Sequence, residues 1–266
     1  MAPLEVLNAV PAEAAAPALK LVAAAGPAAP LTLQLDARCG AAPEAPHLQH
    51  MFDSLAEAFA AERAVGFTIG SHQPPQSAAR LDAADWRALA KFCDSHYVRH
   101  LVDENGDFEM ILICWKKGQA SRVHNHAQSH CWLNVLSGGV EELRFTTGDT
   151  PVGAEPAVAP RLPGVISAHA PCPLLTPAGV GKVGLGGTAY INDTIALHAV
   201  RCDDAACDAA GEEGAVSLHV YAPPIRRVKL YEQEENRVTV RAPGFATIRG
   251  VVDADLQDMS RLSSSL

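Results

Sequence analysis

Residues 118–138 read GQASRVHNHAQSHCWLNVLSG, and this stretch decides the fold. His124 and His126 are two apart, so on an extended chain both imidazoles point to the same face and could bind one metal ion. The same spacing also suits a polar strand face or a hydrogen-bonded histidine pair, and spacing alone leaves these readings open. Downstream, CWLNVL, a turn at Gly138 and Gly139, and VEELRF read as two strands of a hairpin.

Further short strands lie on either side. YVRHLV and FEMILICW flank the turn signal ENGD, in which Asn105 and Gly106 suit the positive φ of a tight hairpin. TIALHAV, AVSLHVYA, RRVKLY and NRVTV follow. Many short strands with turn signals and no intervening helices predict a mainly β sandwich or barrel. Ahead of it, Leu48, Met51, Phe52, Leu55 and Phe59 recur at helical spacing, and a second amphipathic segment carries Trp86, Leu89 and Phe92 behind a cap at Asp82. Residues 1–45 are rich in Ala and Pro and read as a disordered extension, residues 46–250 as the principal domain, and 251–266 as a tail. Two stretches, near 148–187 and 201–214, read as loop insertions, with Cys202 and Cys207 incidental in the second.

The chain has 266 residues, 48% of them hydrophobic and 19% charged, enough for one substantial core. A formal charge of −9 and the lack of Lys/Arg runs exclude a nucleic-acid footprint or a basic membrane-binding surface. An anionic substrate therefore needs a local cation. No stretch has the length and apolarity of a membrane helix, and no secretory signal is legible at the amino terminus. The seven cysteines are irregularly spaced without a CxxC pair, which fits a reducing cytoplasm better than a disulfide framework.

The glycine and histidine spacing from Gly118 through His124, His126 and Cys131 to Gly138 resembles the first cupin motif, with Cys131 where that motif carries a glutamate. Gly187 to His198 has the spacing of the second motif, although Asp193 and Ile195 replace its proline and glycine, and His198 supplies a third imidazole. SHCW, AYINDTIALH and SLHVYAPP, in that order, resemble cysteine dioxygenase, and the similarity runs from Leu48 to Phe245. The resemblance implies a cupin-type β-barrel or jelly roll with a small amino-terminal helical segment.

It also implies Fe(II) on His124, His126 and His198. Three neutral ligands leave the ion its full charge, and coordination deprotonates a thiol whose free pKa lies near 8.5. By the same resemblance cysteine chelates through sulfur and amine, and both atoms of dioxygen end on sulfur as the sulfinate. Arg99 matches the family's carboxylate-binding arginine and Tyr97 a pocket tyrosine. Ser217, His219 and Tyr221 alternate along one strand face and read as a relay. In some family members the tyrosine is joined to a cysteine through a thioether, and Cys131 and Tyr221 are both present here. His130 and Trp115 read as structural, and His47, His50, His72, His96, His100 and His169 as ordinary. The small-molecule partners are cysteine and dioxygen, with no nucleic acid or membrane; a cytoplasmic monomer in cysteine catabolism, towards taurine or sulfate, is expected. Action on 3-mercaptopropionate or cysteamine, or a cupin that has lost catalysis, are the alternatives.

Overall fold

The run EMILICWK forms β2 (Glu109–Lys116), and its first seven residues are all buried. Successive side chains of a strand point to opposite faces, so such a run needs cover on both. Ile111, Ile113 and Trp115 join one core with Leu133, Val135 and Tyr221. Met110, Leu112 and Cys114 join a second core with Leu48, Met51, Phe52, Leu55 and Phe59, the apolar stripe of α1 (Pro46–Ala64). Phe108 sits between Phe52 and Phe59, at ring-centroid distances of 4.7 and 5.1 Å. At about 1.5–3 kcal/mol per fully buried large apolar side chain, this helix-on-sheet core outweighs surface ion pairs worth about 0–1 kcal/mol each.

The structure, a computed structural model, describes residues 45–64, 81, 83–147 and 170–252. The expected extension (but for Ala45), cap Asp82, His72, His169, most of the tail and the segment 148–169 lie outside the described residues. Two six-stranded sheets make up the body. In order across the first are β12 (Thr247–Ile248), β1 (Val98–Glu104), β2, β9 (Gly214–Ala222), β4 (His130–Ser137) and β7 (Thr188–Ile191). The second runs β11 (Arg237–Arg241), β10 (Val228–Glu232), β3 (Val123–His124), β8 (Leu197–Cys202), β5 (Gly139–Thr146) and β6 (Thr176–Gly184). Pairing is antiparallel except between β1 and β12. Val140, Val200 and Cys202 of the second sheet pack into the same interior core as Ile111, Leu133 and Tyr221 of the first. The mainly β jelly-roll class with an amino-terminal helical segment is what the chain adopts. No helix of the described residues is long and apolar enough to cross a membrane.

Several local expectations need correction. β4 and β5 are not a hairpin: β4 pairs with β7 and β9, β5 with β6 and β8, and the chain crosses between sheets at Gly138. Gly138 has φ +66°, and a Cβ there would meet Cys207 Sγ at 2.6 Å and the Gly214 carbonyl at 2.9 Å. Only glycine fits this crossing. Asn105 and Gly106 do not take a positive φ; instead Asn105 Oδ1 accepts from the backbone N–H groups of Asp107 and Phe108 at 2.8 and 3.0 Å. The second helix, α2 (Ala83–Arg87), ends well before Phe92.

Neither insertion is all loop. Thr176–Gly184 is the edge strand β6, registered along β5. The other contains α3 (Asp204–Ala210), whose amino end is capped by Asp203 accepting from the Ala206 N–H. Gly211, at φ 70°, ends it. Cys202 and Cys207 are not incidental: both are buried, with their sulfurs 3.4 Å apart.

Candidate metal centre

The second sheet supplies the histidines. β3 is too short to hold both members of HNH: it ends at His124, and His126 follows it as the chain turns through Ala127 and Gln128, both at positive φ. His124 lies directly opposite His198 in the β3–β8 register. One ligand atom from each of His124, His126 and His198 falls within 4.8 Å of the others. The ring centroids are 4.5–5.3 Å apart.

Outer contacts assign the tautomers. His124 Nδ1 donates to the Arg122 carbonyl at 2.8 Å, and His198 Nδ1 donates to Glu142 Oε1 at 2.9 Å. Each leaves Nε2 as a bare acceptor. His126 is fully buried, and among the described residues neither of its ring nitrogens has a hydrogen-bond partner. Desolvation, reinforced by neighbouring His126, holds His124 down to about 3 and His198 well below its usual value. Two imidazoles with bare Nε2 acceptors, turned on a third that is buried without a partner, fit a bound cation.

Asp193 and Glu142 escaped the sequence reading. Asp193 Oδ1 and Oδ2 accept from the backbone N–H groups of His126 and Gln128 at 2.6 and 2.8 Å. That fixes the turn presenting His126, while its ring stays 3.6 Å from the carboxylate, too far for a hydrogen bond. The departure from the motif's proline was the available signal. Glu142, on β5, had none, because its contact with His198 is made between strands.

The first sheet faces this cluster with Cys131 on β4 and Tyr221 on β9, which lie opposite each other in register. Trp115 Nε1 donates to Ser217 Oγ at 2.9 Å, Ser217 Oγ meets His219 Nε2 at 2.8 Å, and His219 Nδ1 meets Tyr221 OH at 3.3 Å. Ser217 Oγ accepts from the indole and keeps both its hydrogen and a second lone pair, so it can serve either tautomer of His219, whose other nitrogen then pairs with the Tyr221 hydroxyl. Burial keeps His219 neutral, down to about 3, and pushes the Tyr221 phenol and the Cys131 thiol up. Ser217, His219 and Tyr221 are thus joined side chain to side chain, and Trp115, expected only to pack, is hydrogen-bonded to the first of them.

Arg99 projects from β1 over the Phe245 ring at 5.1 Å, with no carboxylate paired to it among the described residues. Its charge reaches the interior, adding to the suppression of His124 and His219 and opposing the rise of Cys131. Tyr97, just before β1, stacks on Trp115 at 4.6 Å. His130 points away from the cluster to Tyr190 OH at 2.5 Å, as a structural residue should. His100 is more than ordinary: it ties β1 to Thr247 of β12 at 2.8 Å.

A family profile described as cysteine dioxygenase type I matches residues 73–234. The chain belongs to that family. It is 33% identical over 150 residues to cysteine dioxygenase type 1 of Danio rerio, covering 56% of this chain and 62% of that protein. It is 31% identical over 163 residues to cysteine dioxygenase type 1 of Homo sapiens, covering 60% of this chain and 68% of that one. Among solved structures it is similar to TT1209 from Thermus thermophilus (TM-score 0.33, 20% identity, 53% of this chain and 95% of that one). It is also similar to the hydroquinone 1,2-dioxygenase PnpCD (TM-score 0.34, 14% identity, 65% and 88%). The cysteine dioxygenase family match contains His124, His126, His198, Arg99, Cys131 and Tyr221.

Proposed function

We propose that the chain is a non-haem iron thiol dioxygenase that converts L-cysteine and dioxygen to cysteine sulfinic acid. His124, His126 and His198 hold Fe(II). The observation that carries this reading is a three-histidine cluster, with His126 and His198 buried, that includes no carboxylate and is faced by Cys131 and Tyr221. Bound iron would supply the acidity that makes a thiolate of the substrate thiol and the redox capacity to use dioxygen. The balance is R–SH + O₂ → R–SO₂H: two S–O bonds form, the O–O bond breaks, and the proton ends on the sulfinate.

The protein's own groups do the rest. Arg99 takes the substrate carboxylate in a charge-assisted contact worth about 1.5–3 kcal/mol, and Tyr97 borders the same pocket. Ser217 and His219 fix the orientation of the Tyr221 hydroxyl, which offers its hydrogen to developing negative charge on oxygen. Cys131 and Tyr221 are both buried, which would keep water from the reacting sulfur. We further assign catalysis to residues 46–250, acting as a cytoplasmic monomer.

The test supplies Fe(II)-loaded protein with L-cysteine, 3-mercaptopropionate and cysteamine in turn, following oxygen uptake and the mass of the product. Cysteine is expected to be consumed with gain of two oxygens. No uptake with any thiol would sink the enzyme reading, and a better rate with either other thiol would reassign the substrate. Arg99→Gln should lower kcat/KM for cysteine about ten- to a hundredfold, from the energy above; unchanged turnover would refute the carboxylate contact.

A further inference from the structure

Strand β5 brings an acidic and a basic side chain to bear on one histidine. Glu142 is 3% exposed; its Oε1 accepts from His198 Nδ1 at 2.9 Å, while Oε2 receives Nε and Nη2 of Arg144 at 2.9 and 2.6 Å. Register accounts for the meeting: Arg144 lies directly opposite His198 and Glu142 opposite Val200, all on one face of the sheet.

The other two histidines are held differently. His124 Nδ1 donates to a backbone carbonyl, and Asp193 grips the chain around His126 rather than its ring. His198 is thus, among the described residues, the member of the trio whose ring is hydrogen-bonded to a charged group. A carboxylate behind a metal-binding imidazole fixes its orientation and raises its basicity. A bare carboxylate would also return negative charge to a centre whose three ligands carry none. Arg144 offsets it.

We infer that Glu142 and Arg144 form a charge-compensated positioning pair for His198: Glu142 locks the ring with its proton on Nδ1, and Arg144 keeps the carboxylate's charge from being felt at the bound metal. The inference rests on the three-histidine metal reading above. It requires the two side chains to act in opposite directions. Glu142→Gln keeps an acceptor for Nδ1–H but leaves Arg144 uncompensated. Arg144→Leu leaves the carboxylate uncompensated.

The experiment measures the Fe(III)/Fe(II) midpoint potential of the loaded protein, with Fe(II) affinity from chelator competition. The potential should rise in Glu142→Gln, fall in Arg144→Leu and return close to wild type when both are combined. Affinity should drop on the order of 10- to 100-fold in Glu142→Gln and hold or rise in Arg144→Leu. Shifts of the same sign in both single variants, or an unmoved potential in iron-bound Arg144→Leu, would overturn the inference, since a pair that serves only packing loses stability without splitting the potentials. The Arg144 side chain is 32% exposed, so Arg144→Leu carries the test if the buried Glu142→Gln fails to fold. If wild type binds iron no better than His198→Ala, the metal reading itself fails; tight wild-type binding with same-sign shifts sinks this inference alone.

Discussion

Ser217→Ala removes one oxygen from the interior and strands two buried groups at once. Trp115 Nε1 loses its acceptor and His219 Nε2 its partner, in residues only 2% exposed. An unsatisfied buried polar group costs about 1–3 kcal/mol. The two share one hydroxyl and relax together, so the combined loss should be about 2–4 kcal/mol, a large part of a typical domain's 5–15 kcal/mol. Urea unfolding of the metal-free protein, read from the midpoint at unchanged slope, measures it. Histidine nitrogen shifts supply a second readout, because losing the hydroxyl that His219 Nε2 meets should change the tautomer balance of His219 in the variant. A loss below about 0.5 kcal/mol, the range of an indifferent surface change, would refute the network, as would His219 shifts identical in wild type and variant.

Cys131 and Tyr221 face each other, and a thioether between them would lower the intact mass by two hydrogens irreversibly. Cys131→Ser should lack that species, whereas a two-hydrogen loss that reductant reverses is a disulfide, for which Cys202 and Cys207, with sulfurs 3.4 Å apart, are placed. Gly138→Ala should cost more than about 2 kcal/mol, combining left-handed strain of about 1–2 kcal/mol with overpacking of about 1–3 kcal/mol against Cys207 and Gly214; thermal unfolding checks it, and a neutral result would show that the crossing can yield. His124 and His219 stay neutral in the fold down to about 3, while in the unfolded chain they take up protons below about 6.5. Proton binding then favours the unfolded state, so metal-free stability is full above that pH and falls progressively as pH drops from about 6.5 towards 3. His219→Gln should flatten the upper part of that decline, and an equal slope would contradict the burial argument.

Much of the centre was legible because strand periodicity is simple. Ser217, His219 and Tyr221 share a face by parity alone, and His124, His126 and His198 stood out through motif spacing. What stayed hidden depends on partners rather than neighbours. Gly138 and Gly139 carry the same local signal whether the chain doubles back or changes sheets, and only the pairing of β4 with β9 and of β5 with β8 decides. β6 has no apolar alternation because it is an exposed edge strand held by β5. Asp203 and Gly211 were readable caps for α3, passed over within an apparently polar loop. Glu142 could not be found at all without knowing which strand lies beside β8.

The direct pairing of His124 with His198 would make a metal held there a proofreader of assembly. A slip of β8 by one residue would turn His198 out of the interior and put a neighbour in its place. Such a slip would go unnoticed by much of the backbone ladder, which bonds equally well in either frame. The ion would not overlook it. Only chains with β3 and β8 in the native frame could offer all three nitrogens, so capture of the metal would drain misregistered conformers into the native one.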